Sequence, residues 1–246
     1  MFYGNFRDSQ DVEFLKNAIE RFKTMFSGVY AGDNAILFDR SLGFLEDQRF
    51  MSAFTSNVQS DQEQSLILRL NTLIWAAQQA LTIEGDFVEC GVFRGFSFAV
   101  IADYLEFGKL DKTLYLYDTF EGIPEKYNSE NRDAPEYAAP GIHEGVVQRF
   151  SRYPNVRIVK GIVPETFADA APEKISLLHL DLNSSKAEIA ALEALFDRVS
   201  SGGVIIFDDY GWAAYRAQRL AEDEFMAERG YRILEIPTGQ GLAIKR

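Results

Sequence analysis

Asp208 and Asp209 stand side by side at the end of an apolar run, Val204-Ile205-Ile206-Phe207. Asp181 closes a second run of the same kind, Ile175-Ser176-Leu177-Leu178-His179-Leu180. Short β-branched runs bounded by turn residues predict buried parallel strands. Ligands on open α/β sheets gather beyond the carboxyl ends of such strands. Three carboxylates converging there repel one another and resist burial unless a cation holds them. With oxygen donors and neither Cys nor His directly beside them, the ion expected is a hard one. Adjacent strand residues point to opposite faces, so both Asp208 and Asp209 reach one ion only if the strand ends between them, as Tyr210-Gly211 suggests. Otherwise one of the pair caps the helix expected from about Trp212.

A second constellation is Glu89-Cys90-Gly91-Val92-Phe93-Arg94-Gly95, between a predicted strand and a predicted helix. Glycine there lets the backbone turn sharply and approach a ligand; a plain tight strand–helix connection would use the same residues. The spacing is G-x-x-x-G, not the dinucleotide fingerprint, so a pyrophosphate cradle is a poor match. The next strand ends in Asp118, followed by Thr119-Phe120-Glu121-Gly122. An acidic residue at that place accepts from ribose hydroxyls, or else caps a turn. A glycine turn with an acidic strand end suits a nucleoside ligand lacking a pyrophosphate, and S-adenosylmethionine fits that description.

The elements that must position these residues follow from the pattern. Strands are expected at 87–90, 113–117, 156–160, 175–181, 204–208, 231–236 and 241–245. Helices are expected at 60–81, 97–104, within 141–153, at 185–199 and from about 212 to 229. This alternation predicts an α/β fold with a doubly wound, mostly parallel seven-stranded sheet, covered by helices on both faces and antiparallel at one edge. Residues 1–58 read as a helical and irregular extension, with a helix near 11–26 and scattered aromatics. They are expected to act as a lid, a pocket wall, a subunit contact or a core-covering segment. Residues 59–246 form the main domain.

Composition narrows the function. The chain has 246 residues, 47% hydrophobic and 25% charged, as in ordinary globular proteins. A formal net charge of −12 argues against a nucleic-acid backbone or an anionic membrane as partner. A single cysteine, Cys90, excludes an internal disulfide and points to a reducing cytoplasm. No run approaches the ~20 apolar residues of a membrane span, and the first residues do not resemble a signal peptide.

With these motifs in order, the chain from Ile83 onward resembles the macrocin O-methyltransferase (TylF) family of S-adenosylmethionine-dependent enzymes. The matching stretches are Phe87 to Gly95, Tyr117 to Pro124 and Gly202 to Gly211, with a looser match through Val156 to Phe167. The resemblance implies a class I methyltransferase, Rossmann-like sheet. It also implies Mg²⁺-assisted O-methylation of a hydroxyl on a sugar or other glycosylated small molecule, as in natural-product tailoring. It assigns Glu89, Gly91 and Asp118 to the cofactor, with Arg94, Ser97, Thr119, Gly161 and Asp181 beside them. Asp181, Asp208 and Asp209 go to the metal. A homodimer is compatible with it.

One position departs from the family. Where it reads Asp-x-Asp, with the second Asp its proposed general base, this chain has Asp181-Leu182-Asn183, and an amide cannot accept a proton at neutral pH. Another group must then take the acceptor's proton. His143, after the polar loop from Glu125 to Ala138, is the first candidate because imidazole titrates near neutrality; a surface or capping histidine is the plainer reading. Lys186 is the second, and His179 reads as a buried, hydrogen-bonded strand residue. The amide at 183 also leaves open a degenerate fold that binds S-adenosylmethionine or a partner without turnover. A nicotinamide oxidoreductase is disfavoured by the missing G-x-G-x-x-G.

Overall fold

Parallel strands buried on both faces need helices to cover them, and the computed structural model of the chain shows that arrangement. It describes every residue except Met1, residues 3–6, Asn131 and Asp133. The chain divides into two units, residues 1–71 and 72–246.

In the first unit, α1 (Ser9–Lys23) is capped by Asp8, whose carboxylate accepts from the amides of Gln10 and Asp11. Strands β1 (Val29–Gly32) and β2 (Ala35–Phe38) pair as an antiparallel hairpin. Its turn is Asp33-Asn34, both at positive φ, which Asp and Asn tolerate better than most residues. This hairpin lies where the pattern suggested only irregular chain. Helices α2 (Gln48–Asn57) and α3 (Asp61–Ser65) follow. The single helix expected over 60–81 is in fact two, α3 and α4 (Ile67–Ala80), broken at Leu66. The Ser65 hydroxyl bonds back to the Gln62 carbonyl there, a local alternative to the helical ladder.

The second unit is the sheet and its helices: β3 (Asp86–Cys90), α5 (Phe96–Leu105), β4 (Leu114–Asp118), α6 (Ile142–Phe150), β5 (Val156–Lys160), β6 (Ile175–Leu180), α7 (Ser185–Leu195), β7 (Val199–Phe207), α8 (Arg216–Glu228), β8 (Leu234–Glu235) and β9 (Gly241–Ile244). The seven strands run in the order β5-β4-β3-β6-β7-β9-β8. The first five are parallel, and β9 joins β7 antiparallel. The expected doubly wound sheet is therefore present, although the strand expected at 231–236 shrinks to β8. All six residues of β6 are buried. Chain order reverses at β3, which has β4 on one side and β6 on the other, so the crevice beyond their carboxyl ends is the place for a ligand. Among the described residues no helix is long and apolar enough to cross a membrane.

Candidate active site

The tips of β3, β4, β6 and β7 gather most of the residues singled out above. Gly91 follows β3 with φ +91°, and a Cβ there would lie 1.8 Å from the Asp181 carbonyl oxygen. The close approach that requires glycine is therefore to the backbone after β6. Gly91 N–H bonds the Tyr117 carbonyl at 2.9 Å and Asp181 N–H bonds the Cys90 carbonyl at 2.8 Å, which locks three tips together.

Asp118 closes the glycine turn. Its Oδ2 accepts from the amides of Val92 (2.7 Å) and Phe93 (2.8 Å), and its Oδ1 from Phe120 (2.6 Å). Three of its acceptor positions thus serve backbone amides, the turn-capping role that stood beside the ribose one. Thr119 Oγ1 donates to the Gly122 carbonyl, and Gly161, at φ +145°, bonds the Asp118 carbonyl. Arg94 is exposed, its guanidinium 5.1 Å from the Phe93 ring centroid.

Two groups at this turn suit a cofactor. Glu89 is 3% exposed, and its Oε2 is buried with no hydrogen-bond partner among the described residues. Such an orphaned acceptor is costly unless a ligand satisfies it. Burial, against the pull of His179, pushes Glu89 up to about 7. Ser97, in the first turn of α5, is half-buried.

Beyond the β7 tip, Asp208 and Asp209 are each 7% exposed but have different neighbours. Asp208 Oδ1 accepts from Gln240 Nε2 at 2.8 Å and faces His179 Nε2 at 3.4 Å. Asp209 instead acts electrostatically on Glu222 and, together with Asp181, on the Tyr137 hydroxyl. Burial first, then the charges around it, raises Tyr137. Among the described residues no cluster of three or more His, Cys, Asp or Glu side chains is gathered for a metal ion. The donors nevertheless suit Mg²⁺ in kind, all carboxylate oxygen, and Asp181 and Asp209 share the Tyr137 surroundings.

Asn183, at φ 57°, holds its neighbours: Nδ2 donates to Asp181 Oδ1 at 3.2 Å, and its Oδ1 accepts from the Tyr215 hydroxyl. The Arg132 guanidinium lies 3.8 Å from the Tyr215 ring centroid. Tyr215 and Gln240 were not flagged by the sequence. The signal available along the chain is an aromatic, Tyr137, within the long polar loop. His143 sits at the start of α6 against the Phe120 ring, centroids 4.9 Å apart, beside the β4 tip. Lys186 is exposed and donates to the Lys126 carbonyl, tying the polar loop to α7. His179 is, as expected, buried and hydrogen-bonded, 1% exposed. Although burial lowers its affinity for a proton, Asp208 and Glu89 carry it up to about 10.

A model of the macrocin O-methyltransferase (TylF) family matches residues 67–234, the span holding every tip residue above except Gln240. Mycinamicin III 3''-O-methyltransferase of Micromonospora griseorubida is 31% identical over 161 residues, covering 58% of this chain and 62% of the relative. The 8-demethyl-8-(2,3-dimethoxy-alpha-L-rhamnosyl)-tetracenomycin-C 4'-O-methyltransferase of Streptomyces olivaceus is 30% identical over 162 residues, 60% of this chain and 62% of its own. The chain thus spans under two thirds of the length of these relatives. Among solved structures, the O-methyltransferase NovP superimposes with a TM-score of 0.61 at 24% identity, over 73% of this chain and 80% of that one. The calicheamicin methyltransferase CalS11 gives 0.59 at 19%, over 88% and 98%. Both likenesses speak for the fold.

Proposed function

The chain belongs to the macrocin O-methyltransferase (TylF) family, and from that premise we propose that it transfers a methyl group from S-adenosylmethionine to a hydroxyl on the sugar of a glycosylated small molecule. The observation that carries the reading is the orphaned Glu89 Oε2 beside the glycine turn, a buried acceptor suited to the ammonium end of that cofactor. The sugar acceptor rests on relatives named for O-methylation, one of them on a rhamnosyl tetracenomycin. A reducing cytoplasm is the proposed setting, consistent with the buried free thiol of Cys90.

Bound S-adenosylmethionine supplies an electrophilic methyl, open to in-line displacement by an oxygen nucleophile. Glu89 and Ser97 would hold its amino-acid end, with Arg94, Thr119 and Gly161 along the rim of the turn. Asp118 contributes chiefly by fixing the Val92 and Phe93 amides that shape this turn. Asp181, Asp209 and Asp208 would hold Mg²⁺, which would lower the pKa of an acceptor hydroxyl, whose proton leaves to water as the oxygen takes the methyl. Asn183 anchors Asp181 and Tyr215, so that Tyr137 and Tyr215 wall the acceptor's side of the tips. Fixing both reactants in register is worth up to ~7–11 kcal/mol in well-oriented systems.

The test is calorimetry with S-adenosylhomocysteine, then mass-spectrometric methylation assays on a panel of glycosides with EDTA or Mg²⁺. Binding of the homocysteine, with a mass gain of one methyl lost in EDTA and restored by Mg²⁺, is expected. Absence of cofactor binding would discard the proposal. A second reading, a fold that binds the cofactor without turnover, is favoured by one observation, the amide at Asn183. Tight cofactor binding with no methylated glycoside at any Mg²⁺ concentration would favour it.

A further inference from the structure

We propose that Tyr215 is a positioning residue for the acceptor: through its stack with Arg132 it holds the loop carrying Tyr137 against the strand tips, so that the stack sets acceptor affinity and leaves cofactor affinity alone. This rests on the transferase reading above. Three loops meet on the one side chain. Its hydroxyl donates to Asn183 Oδ1, in the loop after β6. Its backbone follows the β7 tip closely: Trp212 N–H bonds the Asp209 carbonyl at 3.1 Å, and Tyr215 N–H the Trp212 carbonyl at 2.9 Å. Its ring carries Arg132, from the loop after β4, with the guanidinium 3.8 Å from the centroid.

Arg132 is held from both ends. Asn128 clamps its backbone, Oδ1 accepting from the Arg132 amide at 2.8 Å and Nδ2 donating to the Arg132 carbonyl at 2.9 Å. At the far end, Nη2 donates to the carbonyl of Ala214, the residue before Tyr215, at 2.8 Å. Nε is buried with no partner among the described residues, a cost that the stack and the Nη2 bond must offset. Five residues on, the Tyr137 amide bonds the Ala134 carbonyl at 3.1 Å, and its ring stands edge-on to Phe93, centroids 5.2 Å apart. The Tyr137 hydroxyl lies in the field of Asp181, Asp209 and Tyr215, the side assigned above to the acceptor. Releasing Arg132 therefore frees Tyr137. Phe93 keeps its amide on Asp118, so the glycine turn on the cofactor side stays in place.

The experiment compares the full chain with Arg132→Met, Arg132→Lys, Tyr215→Leu and the Arg132→Met, Tyr215→Leu double variant. Hydrogen exchange, calorimetry with S-adenosylhomocysteine and steady-state kinetics on the glycoside panel are measured for each. Arg132→Met is expected to speed exchange of the Tyr137 amide about fivefold or more, with the β6 amides unchanged. KM for each glycoside turned over should rise by about the same factor, with kcat and the affinity for S-adenosylhomocysteine within about twofold. Lysine keeps the charge but not the planar stack, so Arg132→Lys should behave as the methionine variant does. The double variant should be no worse than the worse single one, because both remove a single contact. A merely structural pair would speed exchange across the sheet and lower the melting temperature without splitting KM from kcat. Arg132 is half-buried on a loop, and its two variants decide the matter should Tyr215→Leu not fold. Unchanged exchange at Tyr137, additive effects in the double variant, or an Arg132→Lys chain that matches the unaltered one overturns the inference and leaves the transferase reading standing. An unaltered chain that binds no S-adenosylhomocysteine ends both.

Discussion

At the scale of single residues, Gly91 is the position with least freedom. Its positive φ suits glycine, and a Cβ there would meet the Asp181 carbonyl oxygen at 1.8 Å and its carbonyl carbon at 2.5 Å. These are backbone atoms that cannot swing aside. Gly91→Ala must part the β3 and β6 tips or abandon the turn. The expected loss is about 2–3 kcal/mol or more, read as a fall in the urea midpoint, with cofactor affinity falling alongside. An unchanged midpoint would mean the tips are not pressed together as described. Asp118 is constrained from the other direction, since its two oxygens satisfy three backbone amides that no other described group serves as well.

At the scale of elements, α7 and α8 bring two acids together behind the β6 tip. Glu188 Oε1 accepts from the Leu182 amide and from Gln218 Nε2, each at 3.0 Å, and so braces the loop carrying Asp181 and Asn183. Glu222 is fully buried on α8. Burial first, then the charge of Glu222, raises Glu188 well above the usual carboxylate range. Burial also pushes Glu222 up to about 7, aided by the charges of Asp209 and Asp223. The pair therefore keeps a proton that the unfolded chain would release. Because the folded value lies above the ordinary 4.5, the stability Glu222 contributes is full below about pH 4.5 and is lost as pH climbs through about 7. Glu222→Gln cannot ionise. Its melting temperature should fall less than that of the unaltered protein between those pH values and exceed it at pH 8. Parallel calorimetric curves would contradict this.

At the scale of the whole molecule, the site depends on the last strand as much as on the first. Strand β9 pairs Gly241–Ile244 with Val204–Phe207, and the residue just before it, Gln240, reaches Asp208. Deleting residues 238–246 would strip that amide and bare a long apolar edge on β7, an invitation to intermolecular pairing. The shortened chain is expected to aggregate, seen as void-volume material in size exclusion with light scattering. A soluble, monodisperse product would show that β7 does not need its partner.

The sequence by itself determined the strand tips and what stands on them. Apolar runs ending in Asp118, Asp181 and Asp208-Asp209, and a glycine turn after Glu89, are local signals, and their order carried the family. It could not show the hairpin at 29–38, whose strands of four residues are too short for a pattern. Nor could it show that Asp118 serves the turn 25 and 26 residues upstream, or that α6 delivers His143 to Phe120. Above all, His179 meets partners 90 and 29 residues away. Hydrophobic periodicity is written along the chain, whereas which polar groups meet across a sheet depends on strand register. Register is decided only when the faces pack.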